Sequence, residues 1–175
     1  MQFKLPAVAA FFAAAAPAMA GHCGVDVVVK ALQSLETITS NSYNLVQGLG
    51  PHNVEATCGT FTENTHKEIA EIDVVLHCDI GVSFAVPQQN QICGLWHSIL
   101  GNQFHAQNEL HQHVQVINNT PFASNFVDVE NNYANSIDQF TNFLNPFIPV
   151  CAPTLAQSQQ NIVHVLNGIT ATVVV

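Results

Sequence analysis

The 175-residue chain contains no arginine and only three lysines, against twelve acidic residues. It has almost nothing with which to neutralise phosphate or sulfate groups. That argues against nucleic acids, anionic membrane surfaces and acidic polysaccharides as partners. The glycine-rich phosphate loops GxGxxG and GxxxxGK[ST] and the zinc-protease helix HExxH are also absent, which removes the best-marked nucleotide and metal enzymes. No C-x-x-C pair occurs, and structural zinc-thiolate sites usually show that short hook. No tract rich in proline, glycine or serine divides the chain, and no segment repeats, so one domain is expected. Beyond residue 20 no apolar run is long enough to span a bilayer.

The first twenty residues, MQFKLPAVAAFFAAAAPAMA, place one lysine before an apolar run and end on Ala18-Met19-Ala20. That is the pattern of a secretory signal cleaved before Gly21. Pro6 and Pro17 interrupt the run, which falls short of the ~20 residues needed to cross a bilayer, so it is not read as an anchor. The tail ITATVVV lacks the spacer and length of a lipid-anchor signal. Residues 21–175 are therefore expected to be a soluble, exported domain, two lysines against twelve acids giving it a formal charge of −10.

The strongest pattern lies between Pro121 and Pro149. Phe122, Phe126, Val129, Tyr133, Ile137, Phe140, Leu144 and Phe147 recur at steps of three and four, while Ser124, Asp128, Asn131, Asn135, Asp138 and Asn142 fall on the opposite face. This predicts an amphipathic helix of about seven turns, entered at Pro121 and stopped by Pro146 and Pro149. Its oily face needs partners. Similar spacing predicts a helix from Val25 to Leu49, a second from about Phe61 to Cys78 with Glu63, Glu68 and Glu71 outward, and a third from about Ile92 to Ile117. A last helix is expected from about Pro153 to Thr170. Gln103, Phe104 and Gln107 make the middle of the third more polar than its ends. His52 to Thr60 and Asp79 to Asn90 are read as loops. The fold class is all-α: about five helices in an up-and-down bundle, successive helices antiparallel.

Five cysteines in an exported chain imply disulfides and one thiol left over. With helices alternating in direction, Cys23, Cys78, Cys93 and Cys151 meet at one pole and Cys58 sits alone at the other. Two disulfides are expected among the four, in any of three pairings, with Cys58 free or paired between two chains. Histidines adjoin those cysteines in His22-Cys23, His77-Cys78 and Cys93-x-x-x-His97, so a metal held at that pole is the competing reading. His97, His105, His111 and His113 point in four directions round their helix and form no chelating pair. They read as a solvated, titratable surface. Protonation as pH falls through ~6.5 cancels much of the negative charge, so adsorption or self-association is expected to grow in acid.

Signs of an enzyme are weak. Gly81-Val82-Ser83-Phe84-Ala85 lacks the final glycine of a nucleophile elbow and the parallel sheet that motif requires. Cys93 with His97 one turn on would be an activated thiol only if it were not disulfide-bonded. No catalytic residue and no cofactor are assigned. Asn118-Asn119-Thr120 is a glycosylation sequon in a predicted turn.

In this order of helices, with VVVKALQSLETITSNSYNLV first and NFVDVENNYANSIDQFTNFL fourth, the chain resembles the fungal hydrophobic surface-binding protein A family, which includes the cell-wall galactomannoproteins. The resemblance implies a non-enzymatic helical bundle, exported to the wall or medium, that binds hydrophobic surfaces or holds fatty-acid-like lipids between its helices. The chain departs from the family pattern in its five cysteines, its many histidines and phenylalanines, and its lack of a Ser/Thr-rich tail. Leu95, Ile99, Phe126, Tyr133, Ile137 and Phe140 are the expected lining of a lipid slot, with Tyr133 or a helix N-terminus meeting a carboxylate. Two other readings stand beside it: a disulfide-stapled interaction protein with a filled core, and the metal-binding pole.

Overall fold

The computed structural model describes residues 23–121 and 123–173. The leader expected over residues 1–20, together with His22 and Phe122, lies outside them. Five long helices, α1 (Val25–Val46), α2 (Val54–Leu76), α3 (Val86–Gln112), α5 (Ala123–Leu144) and α6 (Ala152–Thr172), are joined by a single-turn α4 (Val114–Ile117) and a 3-10 turn, Asn145–Phe147. No strand interrupts them among the described residues, and none of these helices is long and apolar enough to cross a membrane.

The apolar periodicity accounts for most boundaries, and three depart from expectation: the starts of α2 and α3, and the end of α3, which stops at Gln112 and leaves Val114–Ile117 as the separate turn α4. α2 begins at Val54 rather than near Phe61 because Val54, Cys58, Phe61, Thr65, Glu68, Ile72 and Val75 form one inward stripe, all buried. Asn53 closes the turn before it, its amide donating to the Gly48 carbonyl at 2.9 Å and its Oδ1 accepting from the Gly50 N–H at 2.8 Å. α3 likewise starts early, at Val86, with Pro87 in its first turn where no donor is needed. Gln88 folds back to accept from the Ala85 N–H at 3.0 Å. On α5 the six residues expected to face solvent are exposed, and the stripe from Phe126 to Leu144 is buried.

Successive long helices alternate in direction. In space α1 packs between α2 and α3, α3 against α6, α6 against α5, and α5 back against α2. The five thus close a ring. Both disulfides lie at one end: Cys23–Cys78 joins the start of α1 to the end of α2, and Cys93–Cys151 joins the first turns of α3 to the entry of α6. Thiols consumed in this way are not metal ligands, which removes the Cys/His metal reading and the activated Cys93. Cys58 is free and wholly buried at the opposite end, so a bridge between two chains through it has no exposed sulfur to use.

Candidate functional site

The interior of the ring is not uniformly apolar. At the stapled end Leu32, Leu35, Ile72, Trp96, Ile137, Phe140 and Leu166 belong to one buried cluster, with Trp96 set edge-on to Phe140 at 4.7 Å between ring centroids. At the far end Val46, Cys58, Phe61, Leu110, Phe126 and Ile169 belong to another. Between the two lies a polar belt to which four helices contribute: Thr39 and Ser42 from α1, Thr65 and Glu68 from α2, Gln103 and Gln107 from α3, Glu130 and Tyr133 from α5, all buried. Glu68 corrects the expectation that it faces outward. It is in phase with Phe61, Ile72 and Val75, while Glu63 is exposed and Glu71 half-buried.

The belt is tied across the ring. The Gln103 amide donates to Glu68 Oε2 at 2.6 Å and the Gln107 amide to Glu130 Oε2 at 2.8 Å. α3 reaches α2 and α5 in this way although neither is its neighbour in the ring. Ser42 donates to Glu68 Oε1 at 3.4 Å, and Asn102 donates to the Thr39 hydroxyl at 3.4 Å. Burial drives the Glu68 carboxyl up to about 8, against the pull of contacts with Tyr133, Gln103 and Ser42. Burial also drives Glu130 up to about 8; the Gln107 bond opposes this and the nearby Glu68 reinforces it. Both acids are therefore largely protonated at neutral pH, because an uncompensated carboxylate in such surroundings is costly. Tyr133 is held well above its ordinary value by burial and by the two carboxyls, and so stays a neutral hydroxyl.

Four buried polar atoms of the belt lack a hydrogen-bond partner: Gln103 Oε1, Gln107 Oε1, Glu130 Oε1 and the Tyr133 hydroxyl. The Tyr133 hydroxyl interacts with Glu68 but not in the geometry of a formed hydrogen bond. A buried unpaired polar group costs roughly 1–3 kcal/mol; outside the belt Trp96 Nε1 and Thr141 Oγ1 are unpaired as well.

Of the six residues expected to line a slot, Ile99, Tyr133, Ile137 and Phe140 lie in the stapled half, Phe126 in the far half, and Leu95 is half-buried against the stapled half. Sequence reasoning missed the two acids. Their signal was positional, Glu68 four residues before Ile72 and Glu130 four after Phe126, each on its helix's apolar stripe. Of the histidines, His52, His66, His77, His97, His105, His111 and His164 are exposed and His113 is half-buried. Asn118 is partly exposed at the far end, its amide donating to the Thr172 carbonyl at 3.2 Å. A concavity of about 730 Å³ opens at the same end, lined by His52, Asn53, Glu55, Gln115 and Asn119 among others.

These features define a class, a closed ring of helices whose axis is apolar at both ends and hydrogen-bonding in the middle. No protein-family model and no curated protein matches the sequence. Among solved structures the fold is similar to Afmp4p in complex with palmitic acid, with a TM-score of 0.66 and 8% identity over 86% of this chain and 100% of that one. It is also similar to ligand binding domain 1 of the Penicillium marneffei MP1 protein complexed with arachidonic acids, with a TM-score of 0.63 and 10% identity over 86% of this chain and 99% of that one. At these identities the likeness is one of fold.

Proposed function

We propose that this protein is an exported, non-enzymatic carrier of long-chain acyl lipids, held along the axis of the helical ring, and a divergent relative of the fungal hydrophobic surface-binding proteins and cell-wall galactomannoproteins. The observation that carries this reading is the belt: a cluster of buried hydrogen-bonding groups, several of their atoms unpaired, set between two largely apolar halves. Two structures of the same fold hold palmitic and arachidonic acids. Ile99, Tyr133, Ile137 and Phe140 line the stapled half of the path, Leu95 flanks it and Phe126 lines the far half. Export follows from the leader over residues 1–20 and agrees with two disulfides. Asn118 is the glycan acceptor.

The stapled end supports a second role, contact with hydrophobic surfaces. Val27, Val74, Val82, Val86 and Val150, the exposed large apolar side chains among the described residues, all lie at or near that end, with Val82 75% exposed. A glycan on Asn118, at the other end, leaves it clear.

Native mass spectrometry of the exported protein incubated with palmitic acid tests the main reading. A discrete protein–lipid adduct that survives gentle desolvation is expected. Absence of any adduct, with amide exchange of the inner residues unchanged by lipid, leaves the filled-core interaction protein as the better account.

A further inference from the structure

Resting on the reading of the ring as a lipid carrier, we propose that the belt selects lipids whose hydrogen-bonding group is uncharged and lies partway along an apolar length, such as an acyl or alkyl chain bearing an interior hydroxyl. The argument has two parts, charge and position. The chain has no arginine, Lys30 and Lys67 are both exposed, and no described histidine is buried, so no buried basic side chain stands at the belt. Its members are two carboxyls, two carboxamides and hydroxyls. An ionised ligand carboxylate would sit beside Glu68 and Glu130 with no counter-charge, the arrangement that burial penalises most. A hydroxyl suits the site in both directions. It donates to the open carbonyl oxygen of Gln103 or Gln107 and accepts from the Tyr133 hydroxyl.

Position follows from the helical rise. On α2, Glu68 is seven residues from Phe61 in the far cluster and seven from Val75 in the stapled one, so each apolar half extends at least about 10 Å from the belt at 1.5 Å per residue. A lipid with its polar group at one end fills only one half when that group is in the belt. A lipid with the group inside its length fills both.

Trp96, the single tryptophan, is buried in the stapled half and reports occupancy by its fluorescence. Titration with nonadecan-10-ol, nonadecan-1-ol and stearate, each delivered from cyclodextrin, separates the possibilities. The interior alcohol is expected to bind about tenfold more tightly than the other two, the discrimination that one or two unpaired buried groups produce. Replacing both members of one cross-ring pair, Gln107→Leu with Glu130→Leu, is expected to weaken the preference while the apolar halves still take up lipid. Tyr133→Phe, which removes a single hydroxyl and disturbs packing least, is expected to reduce it severalfold. Equal or tighter binding of the terminal alcohol or of stearate overturns the selectivity and leaves the carrier reading standing. If no ligand changes Trp96 fluorescence and no adduct appears by native mass spectrometry, both fall.

Discussion

At the scale of single residues, Glu68 and Glu130 set how stability depends on pH. Each is held at about 8 in the fold against an ordinary value of 4.5, so between those limits the folded chain keeps protons that the unfolded chain has released. Stability is then greatest on the acid side, falls as pH rises from about 4.5 towards 8, and levels off above. The loss is on the order of 1 kcal/mol per pH unit for each carboxyl while the two states differ by a full proton. Urea midpoints taken from pH 5 to pH 8.5 are expected to fall steadily, and the slope is expected to flatten in Glu68→Gln with Glu130→Gln. An unchanged slope in that variant would assign the dependence elsewhere. Cys58 belongs to the same neighbourhood. Burial and the nearby Glu130 push its thiol up to about 11, and its side chain is enclosed. Alkylation by iodoacetamide at pH 8 is expected to be negligible in the folded protein and to reach one thiol per chain in denaturant without reductant.

Among the elements, α5 has the most legible pattern. Its two faces emerge as read, because an amphipathic stripe held between prolines leaves the chain few alternatives. Phe140, which meets Trp96 in the stapled half, is expected to cost ~3–5 kcal/mol when cut to alanine, whereas Asn135→Ala on the wet face should change stability by less than ~0.5 kcal/mol. Thermal melts of the two variants check the contrast. Parity between them would mean that α5 does not bury this face. The start of α2 was less legible for a physical reason. Thr57, Cys58, Gly59 and Thr60 are poor helix formers that read as a loop, and tertiary burial of Val54 and Cys58 overrides that weak local preference. The belt was legible only in part. Gln103 and Gln107 are visibly polar in the middle of a helix, but acids are so rarely buried that spacing and composition place Glu68 on the outside. Only the partners reaching across the ring explain why it is not.

For the whole molecule, alternating helix directions were enough to bring four cysteines to one pole and leave Cys58 at the other. Apolar spacing says which face turns inward but not which helices become neighbours, so neither the ring order nor the pairing of the four followed from it. The pairing found has an energetic consequence of its own. Cys23–Cys78 and Cys93–Cys151 span 55 and 58 residues and enclose separate stretches of chain. In the chain-entropy account each therefore restricts a different part of the unfolded ensemble and stabilises the fold by about 4 kcal/mol. Because the two loops do not overlap, their effects should add. Replacing Cys23 and Cys78 by serine, or Cys93 and Cys151, is expected to lower the unfolding free energy by similar amounts in urea titrations. Removing both disulfides should take away about 8 kcal/mol, most or all of what a domain of this size usually has. A double variant no less stable than either single one would mean that the two bridges constrain the same motion, and that the stapled end behaves as one unit instead of two independently closed loops.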